Sequence, residues 1–335
     1  MGLLQRDRPG LVLTMRSVRA GVVGLCLVVL ATLMGCQAHP GPVTHAVYVY
    51  MCGGDLETNA ARGSADLDEL IEAVAAAPAG TTVVVQTGGA KAWHGHGIDA
   101  SGLQRWLVTG DGLQLVEATA LDNMATAGAL AGFLDFAVTG YRADTMSLVL
   151  WGHGTGRGVC VDQLYYDDML DAEDIRWALS SLEADVRFET VVFDACYGAT
   201  VDLAAAVAGR AMYMVAAAGP LPGSGLEYAA IDFAAGGLDR AASIADSAGG
   251  PGGPTMSVIR PDRIADLSRY AQAVTGLEPV AAYIANAYYL VDLAEVLAVL
   301  PDHERETLGH LLSEAIAHRT DPDAPTAGLT LQIPR

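Results

Sequence analysis

Apolar runs and polar breaks alternate along this chain in a β-α-β rhythm. Residues 45–52 (HAVYVYMC), rich in Val and Tyr, read as a first strand. Gly53, Gly54 and Asp55 turn the chain. At 66–69 (DLDE) an acid with Glu three residues on reads as a capping box, and Leu67, Leu70, Ile71 and Val74 then recur at helical spacing up to Pro78 and Gly80. Residues 81–87 (TTVVVQT) are a second strand. A β-α-β opening points to a parallel sheet with right-handed crossovers. Residues 88–119 are punctuated by glycine, and 105–109 and 113–118 flank Gly110-Asp111-Gly112, a small antiparallel hairpin insert beside the main sheet. A helix over 126–141 leads into a buried strand, 146–151 (MSLVLW), and the turn Gly152-His153-Gly154-Thr155-Gly156. A loop over 158–169 and a helix over 171–182 precede the strand 190–194 (TVVFD), which runs into Ala195, Cys196, Tyr197 and Gly198. A helix over 199–208, a strand over 211–216 and a Pro/Gly-rich loop over 217–228 follow. The small-residue stretch 236–253 is expected to be mobile. Helices over 262–274, 279–300 and 305–318 and a strand over 329–333 complete the chain. The fold class is α/β, with one large domain over 45–335.

Charge and composition change the picture at the start. Arg6, Arg8, Arg16 and Arg19 precede an apolar run over 21–33, the pattern of a signal peptide over 1–35. The run falls short of the ~20 residues that a membrane span needs. Leu33-Met34-Gly35-Cys36 resembles the lipobox of bacterial lipoproteins, which makes Cys36 the acylated first residue and 36–44, with Pro40, Gly41 and Pro42, a tether. An ordinary signal peptide with Cys36 incidental is the alternative. The expected address is exported, held by lipid on the periplasmic or extracellular face of a bacterial membrane. The full chain carries a formal charge of −20, and without residues 1–35 it carries −23. That balance argues against nucleic acid as a partner. It favours, weakly, calcium or cationic substrates. Cys52, Cys160 and Cys196 then remain, an odd count that leaves at least one thiol free.

The candidate chemistry follows from two strand ends. Neighbouring parallel strands would bring His153 and Cys196 together at their C-terminal rim, where α/β sheets place their sites. A thiol nucleophile needs a base or cationic partner and donors for the oxyanion. Cys196 is the candidate nucleophile and His153, the only histidine between residues 97 and 302, its partner. The N–H groups of Gly154 and Cys196 are candidate oxyanion donors, each worth roughly 3 kcal/mol of barrier. On spacing alone, a buried structural cysteine and a structural histidine remain open.

Residues 148–156 (LVLWGHGTG) and 193–196 (FDAC) resemble the His and Cys motifs of the clostripain family of cysteine peptidases, related to caspases, legumains and gingipains. Residues 49–57 (VYMCGGDLE), 66–70 (DLDEL), Asn123-Met124, 141–144 (YRAD), 222–225 (PGSG) and 328–334 (GLTLQIP) resemble that family in its order. The resemblance implies a caspase-like α/β/α sandwich and a His153/Cys196 dyad that needs no third, orienting carboxylate. It also implies endopeptidase cleavage after Arg or Lys, with calcium needed by some members, and Asp194 lining the pocket for the basic side chain. Ala217 to Leu221 lack the family's acids, which weakens the attraction for a guanidinium; Glu227 is the residue that could compensate. No Lys or Arg lies between Gly158 and Ile175, so self-cleavage at a basic site there is not expected.

Competing readings stand beside this one. One is a surface-anchored binding protein on a peptidase-like fold, without turnover, motivated by the altered 217–228 loop. Another is a metal-dependent hydrolase built on His94 and His96, against exposed loop histidines. Asp162, Asp167, Asp168 and Asp171 are either calcium ligands or a solvated acidic loop. No metal is required for the thiol chemistry, and the expected partners are protein or peptide substrates.

Overall fold

The computed structural model describes residues 45–333 apart from 249–253 and 285–289, all within one compact unit, Pro42–Arg335. The expected signal peptide, the tether and Cys36 lie outside the described residues, as does the end of the 236–253 stretch. In chain order the first elements are β1 (His45–Cys52), α1 (Gly54–Ala60), α2 (Arg62–Ala76), β2 (Thr81–Gly88), β3 (Gly102–Thr109), β4 (Gly112–Ala120) and α3 (Ala127–Tyr141). Next come β5 (Thr145–Trp151), β6 (Gly158–Asp162), β7 (Asp168–Asp171), α4 (Ala172–Ser180), β8 (Phe188–Asp194), α5 (Val201–Val207) and β9 (Ala211–Ala217). The last are α6 (Gly237–Asp246), β10 (Met256–Ile259), α7 (Ile264–Val274), α8 (Glu278–Ile284), β11 (Leu290–Asp292), α9 (Leu293–Val299), α10 (Asp302–Ala315), β12 (Ile316–Arg319) and β13 (Thr330–Gln332).

β1 is buried at every position, and its alternation divides it between two cores. Tyr48, Tyr50 and Cys52 enter one; Val47, Val49 and Met51 enter the other. β8 divides likewise, with Val191 and Phe193 on one face and Val192 on the other. A sheet apolar on both faces must be covered on both. Leu67 and Leu70 of α2 and Ile244 of α6 cover one side; Phe133 of α3, Leu179 of α4, Leu203 of α5, Leu267 of α7 and Leu308 of α10 cover the other. The main sheet runs β12-β10-β9-β8-β5-β1-β2-β3-β4. Its five central strands, β9 to β2, are parallel. Antiparallel strands extend both edges. The architecture is the expected α/β/α sandwich.

Several local expectations differ. The hairpin is not set beside the sheet: β3 pairs with β2 from Val83 to Thr87 and continues it, because Leu103, Trp106 and Val108 carry apolar area into the cores. The 158–169 loop contains a second hairpin, β6 with β7. The stretch 279–300 is not one helix. Asp292 accepts from the Ala294 N–H at 2.8 Å and caps α9, while Leu290 and Val291 pair with β13. The 305–318 helix ends at Ala315, and β12 returns the chain to the sheet edge. Within 236–253, residues Gly237–Asp246 form α6, whose Ala241, Ile244 and Ala245 pack into a core. The capping box is not at a helix start: α2 begins at Arg62, after Ala61 in the left-handed region, and Asp66 lies inside it.

Candidate active site

β5 and β8 are parallel neighbours with Trp151 opposite Asp194, and the Gly152 N–H donates to the Asp194 carbonyl at 3.2 Å. His153 and Cys196 each follow that pair by two residues, so the register delivers both to one rim. Close packing there demands glycine. A Cβ on Gly154 would stand 2.2 Å from the Cys196 carbonyl oxygen, and one on Gly152 2.8 Å from the Cys52 carbonyl oxygen. Tyr197 turns the chain sharply after the thiol with φ of 56°, a conformation that costs a non-glycine residue on the order of 1 kcal/mol. Thr200 then caps α5 by accepting from the Leu203 N–H at 3.1 Å.

A cleft of about 130 Å³ opens at this rim, lined among others by Leu56, Trp151, His153, Asp194, Cys196 and Leu221. The Cys196 sulfur accepts from the Leu221 N–H at 3.3 Å and its S–H faces the Leu221 carbonyl at 3.7 Å. The His153 Nε2 meets Asp55 Oδ1 at 2.5 Å. Among the described residues no hydrogen bond joins His153 to Cys196. The arrangement offers a thiol and an imidazole on one cleft.

The floor of the cleft is acidic. Asp194 is almost fully buried and accepts from the Tyr228 hydroxyl at 2.8 Å. Burial raises its pKa to about 6, against the lowering effect of the Tyr228 and Leu226 hydrogen bonds. The turn at 222–225, closed by the Gly225 N–H to the Pro222 carbonyl at 2.9 Å, lies directly on this carboxylate. Gly225 has φ of 63°, and a Cβ there would stand 2.8 Å from Asp194 Oδ1. Behind it Asp66, also buried, accepts from the Trp151 indole N–H at 2.6 Å. Burial first, and then the charge of Asp194, raise Asp66 to about 9. Burial thus favours the protonated form of Asp66, and Asp194 is the more acidic of the two.

The folded state holds the Asp66 proton far above the pH at which an unfolded chain releases it. Asp66 therefore weighs increasingly against the folded state as pH rises from about 4 toward about 9. Asp66→Asn keeps an acceptor for the indole and removes the titration. Its stability relative to the wild type should climb with pH, by a few kcal/mol at the alkaline end. Denaturant unfolding at mildly acidic and mildly alkaline pH measures this; a difference that does not change with pH would contradict a protonated Asp66.

The other candidates fall elsewhere. Glu227 is exposed, its N–H bound to the Ser247 carbonyl, and it is not among the residues lining the cleft. His94 Nε2 meets the Thr58 carbonyl at 2.9 Å, and His96 Nε2 lies 3.3 Å from both the Ser64 carbonyl and Asp68. Among the described residues no group of three or more His, Cys, Asp or Glu is arranged to hold a metal ion. Asp162 is buried and accepts from the N–H groups of Met124 and Leu164. Asp171 caps α4 in a capping box with Asp174. Asp168 accepts from the Asn123 amide, and Asp167 sits at φ of 57° beside the fully exposed Tyr166. Cys52, Cys160 and Cys196 are all free; burial raises the first two thiols, and only Cys196 reaches the cleft.

Asp55, Asp66, Leu221 and Tyr228 carry roles that the one-dimensional reading did not assign. Asp55 had a usable signal, because it follows the strand expected to open the sheet and so shares the rim with His153. The sequence pattern of the clostripain family matches residues 49–248. No curated protein matches the chain. Among solved structures, an inactive zymogen C11 protease from Parabacteroides distasonis is similar at 19% identity and a TM-score of 0.67, over 88% of this chain and 93% of that one. A secreted C11 cysteine protease from Bacteroides thetaiotaomicron in complex with an irreversible peptide inhibitor is similar at 19% identity and a TM-score of 0.67, over 87% and 93%. A further structure of a secreted C11 cysteine protease from that organism is similar at 15% identity and 0.69, over 88% and 94%. At these identities the likeness speaks for the fold.

Proposed function

The chain belongs to the clostripain family of cysteine peptidases, and from that premise we propose that it is an endopeptidase that cuts after Arg or Lys through Cys196 and His153. The observation that carries the reading is the single cleft lined by His153, Cys196 and Asp194, with an acidic floor. In this mechanism the Cys196 thiol gives its proton to solvent, its sulfur attacks the scissile carbonyl carbon, and the N–H groups of Gly154 and Cys196 hold the oxyanion. The C–N bond breaks as His153 gives a proton to the leaving amine. Water then attacks the thioester, His153 takes its proton and is restored, the C–S bond breaks, and the sulfur recovers its proton from solvent. Asp194 pairs with the cationic side chain before the cut bond. Glu227, which does not line the cleft, leaves Asp194 to carry that selectivity.

The proposed address is the outer side of a bacterial membrane, with lipid on Cys36, a residue outside the described ones. Among the described residues no helix is long and apolar enough to cross a membrane. A peptidyl chloromethyl ketone ending in Arg should alkylate Cys196 once, as read by intact mass and peptide mapping, and a Leu-ending analogue should react far more slowly. Cys196 inert to both reagents would overturn the peptidase reading and leave the non-hydrolysing binding protein. Equal reaction with both would remove the basic preference alone.

A further inference from the structure

The geometry points to Asp55 as a positioning residue for His153, a third member of the site in addition to the dyad. The inference rests on the reading of His153 and Cys196 as the reacting pair. The sheet order β8-β5-β1 places the strand bearing His153 between two neighbours. Trp151 stands opposite Met51 on one side and Asp194 on the other. The chain leaving β8 supplies the thiol two residues beyond that level. The chain leaving β1 supplies Asp55 four residues beyond it, at the start of α1. The imidazole is thus flanked by a sulfur-bearing and a carboxylate-bearing rim segment.

Contact with the carboxylate is direct. Asp55 Oδ1 lies 2.5 Å from Nε2, and among the described residues neither side chain has another hydrogen-bond partner. The approach depends on Gly54, whose φ of 52° turns the chain into α1 and whose missing Cβ would stand 3.9 Å from His153 Cδ2 and 3.1 Å from the Val161 carbonyl oxygen. As a fold-stabilising ion pair this contact is weak, since both side chains are about half exposed and such pairs contribute no more than about 1 kcal/mol. Its value lies in orientation. With the Nε2–H donated to Asp55, the ring plane is fixed and Nδ1 is the nitrogen left to exchange a proton with the reacting groups. The carboxylate also stabilises the imidazolium that must form before a proton reaches the leaving amine.

This predicts a dependence on the leaving group. Release of an amine needs the His153 proton; release of 4-nitrophenolate does not, because that anion leaves unprotonated. Asp55→Asn in the full chain is compared with the wild type on a 4-nitroanilide and a 4-nitrophenyl ester of the same acyl group. The nitrophenolate burst counts functioning sites, so rates are taken per active site whatever the folded fraction. The anilide rate should fall about ten- to hundredfold, with the ester burst rate within about threefold of the wild type. Asp55→Ser serves the same comparison should the Asn variant fold poorly. Equal losses on both substrates, or none on either, overturn the role of Asp55. A wild type without any burst that Cys196→Ala removes would overturn instead the peptidase reading beneath it.

Discussion

Cys196→Ala should yield a protein that folds as the wild type does and cleaves nothing. Removing one sulfur at a partly exposed rim position deletes only the contacts to the Leu221 backbone. The core strand β8 below it, buried at every position, is untouched. Chemically the loss is total for the thioester route, and removal of such a nucleophile typically costs on the order of 10⁴- to 10⁶-fold in kcat. His153→Ala should fall in the same range for amide substrates, because the leaving amine then finds no proton donor. Steady-state cleavage of a peptidyl amide, with thermal unfolding beside it, reads both. Because the two residues act as a unit, the double variant should be no slower than the worse single one. Activity kept at the wild-type level in either single variant would remove the assignment.

Under the proposed preference for Arg and Lys, Asp194→Asn should leave the enzyme indifferent to charge at that position. The carboxylate is buried beneath Gly225, so under the proposed reading its charge would meet a bound guanidinium with little water between them. Losing one partner of a buried charge pair costs about 2–5 kcal/mol. A fall in kcat/KM of a hundredfold or more for arginyl and lysyl substrates corresponds to about 3 kcal/mol. Substrates with an uncharged residue at that position should change little. The wild type carries the same test in its pH dependence. Asp194 titrates at about 6, and a cation bound against it favours the ionised form. Below that pH the cation must compete with a proton, so KM for basic substrates should rise as pH falls through about 6. In Asp194→Asn that rise should vanish. A KM that climbs identically in both proteins would assign the titration to another group.

Asp194 at the cleft and Asp66 behind it are unequally legible in the sequence. Asp194 could be marked because the resemblance to the clostripain family places an acid two residues before the cysteine. Asp66 could not. An acid followed three residues later by Glu is the pattern of a helix cap, and only the fold shows that α2 starts earlier, at Arg62, and turns this carboxyl inward to the Trp151 indole. Glu227 lies away from the cleft for the converse reason. Sequence proximity to the recognition loop brought its backbone near, but the loop passes Asp194 with Leu226 buried and the next side chain in solvent.

The chain by itself determined the alternation of strands and helices, because fully apolar runs such as residues 45–52 and 146–151 can only be buried on two faces of a parallel sheet. It also determined that a thiol and an imidazole end two such strands, since a strand followed by small residues exposes what comes next at the rim. What it left undecided was which strands lie side by side. Strand order and register are set by long-range packing between segments far apart in sequence, and no local period records them. The order β8-β5-β1 is therefore a tertiary result, and with it come the shared level of His153 and Cys196 and the carboxylate of Asp55 on the histidine's other side. The closing of Gly225 over Asp194 is of the same kind, a contact between a strand end and a loop 31 residues later that only the assembled sheet brings together.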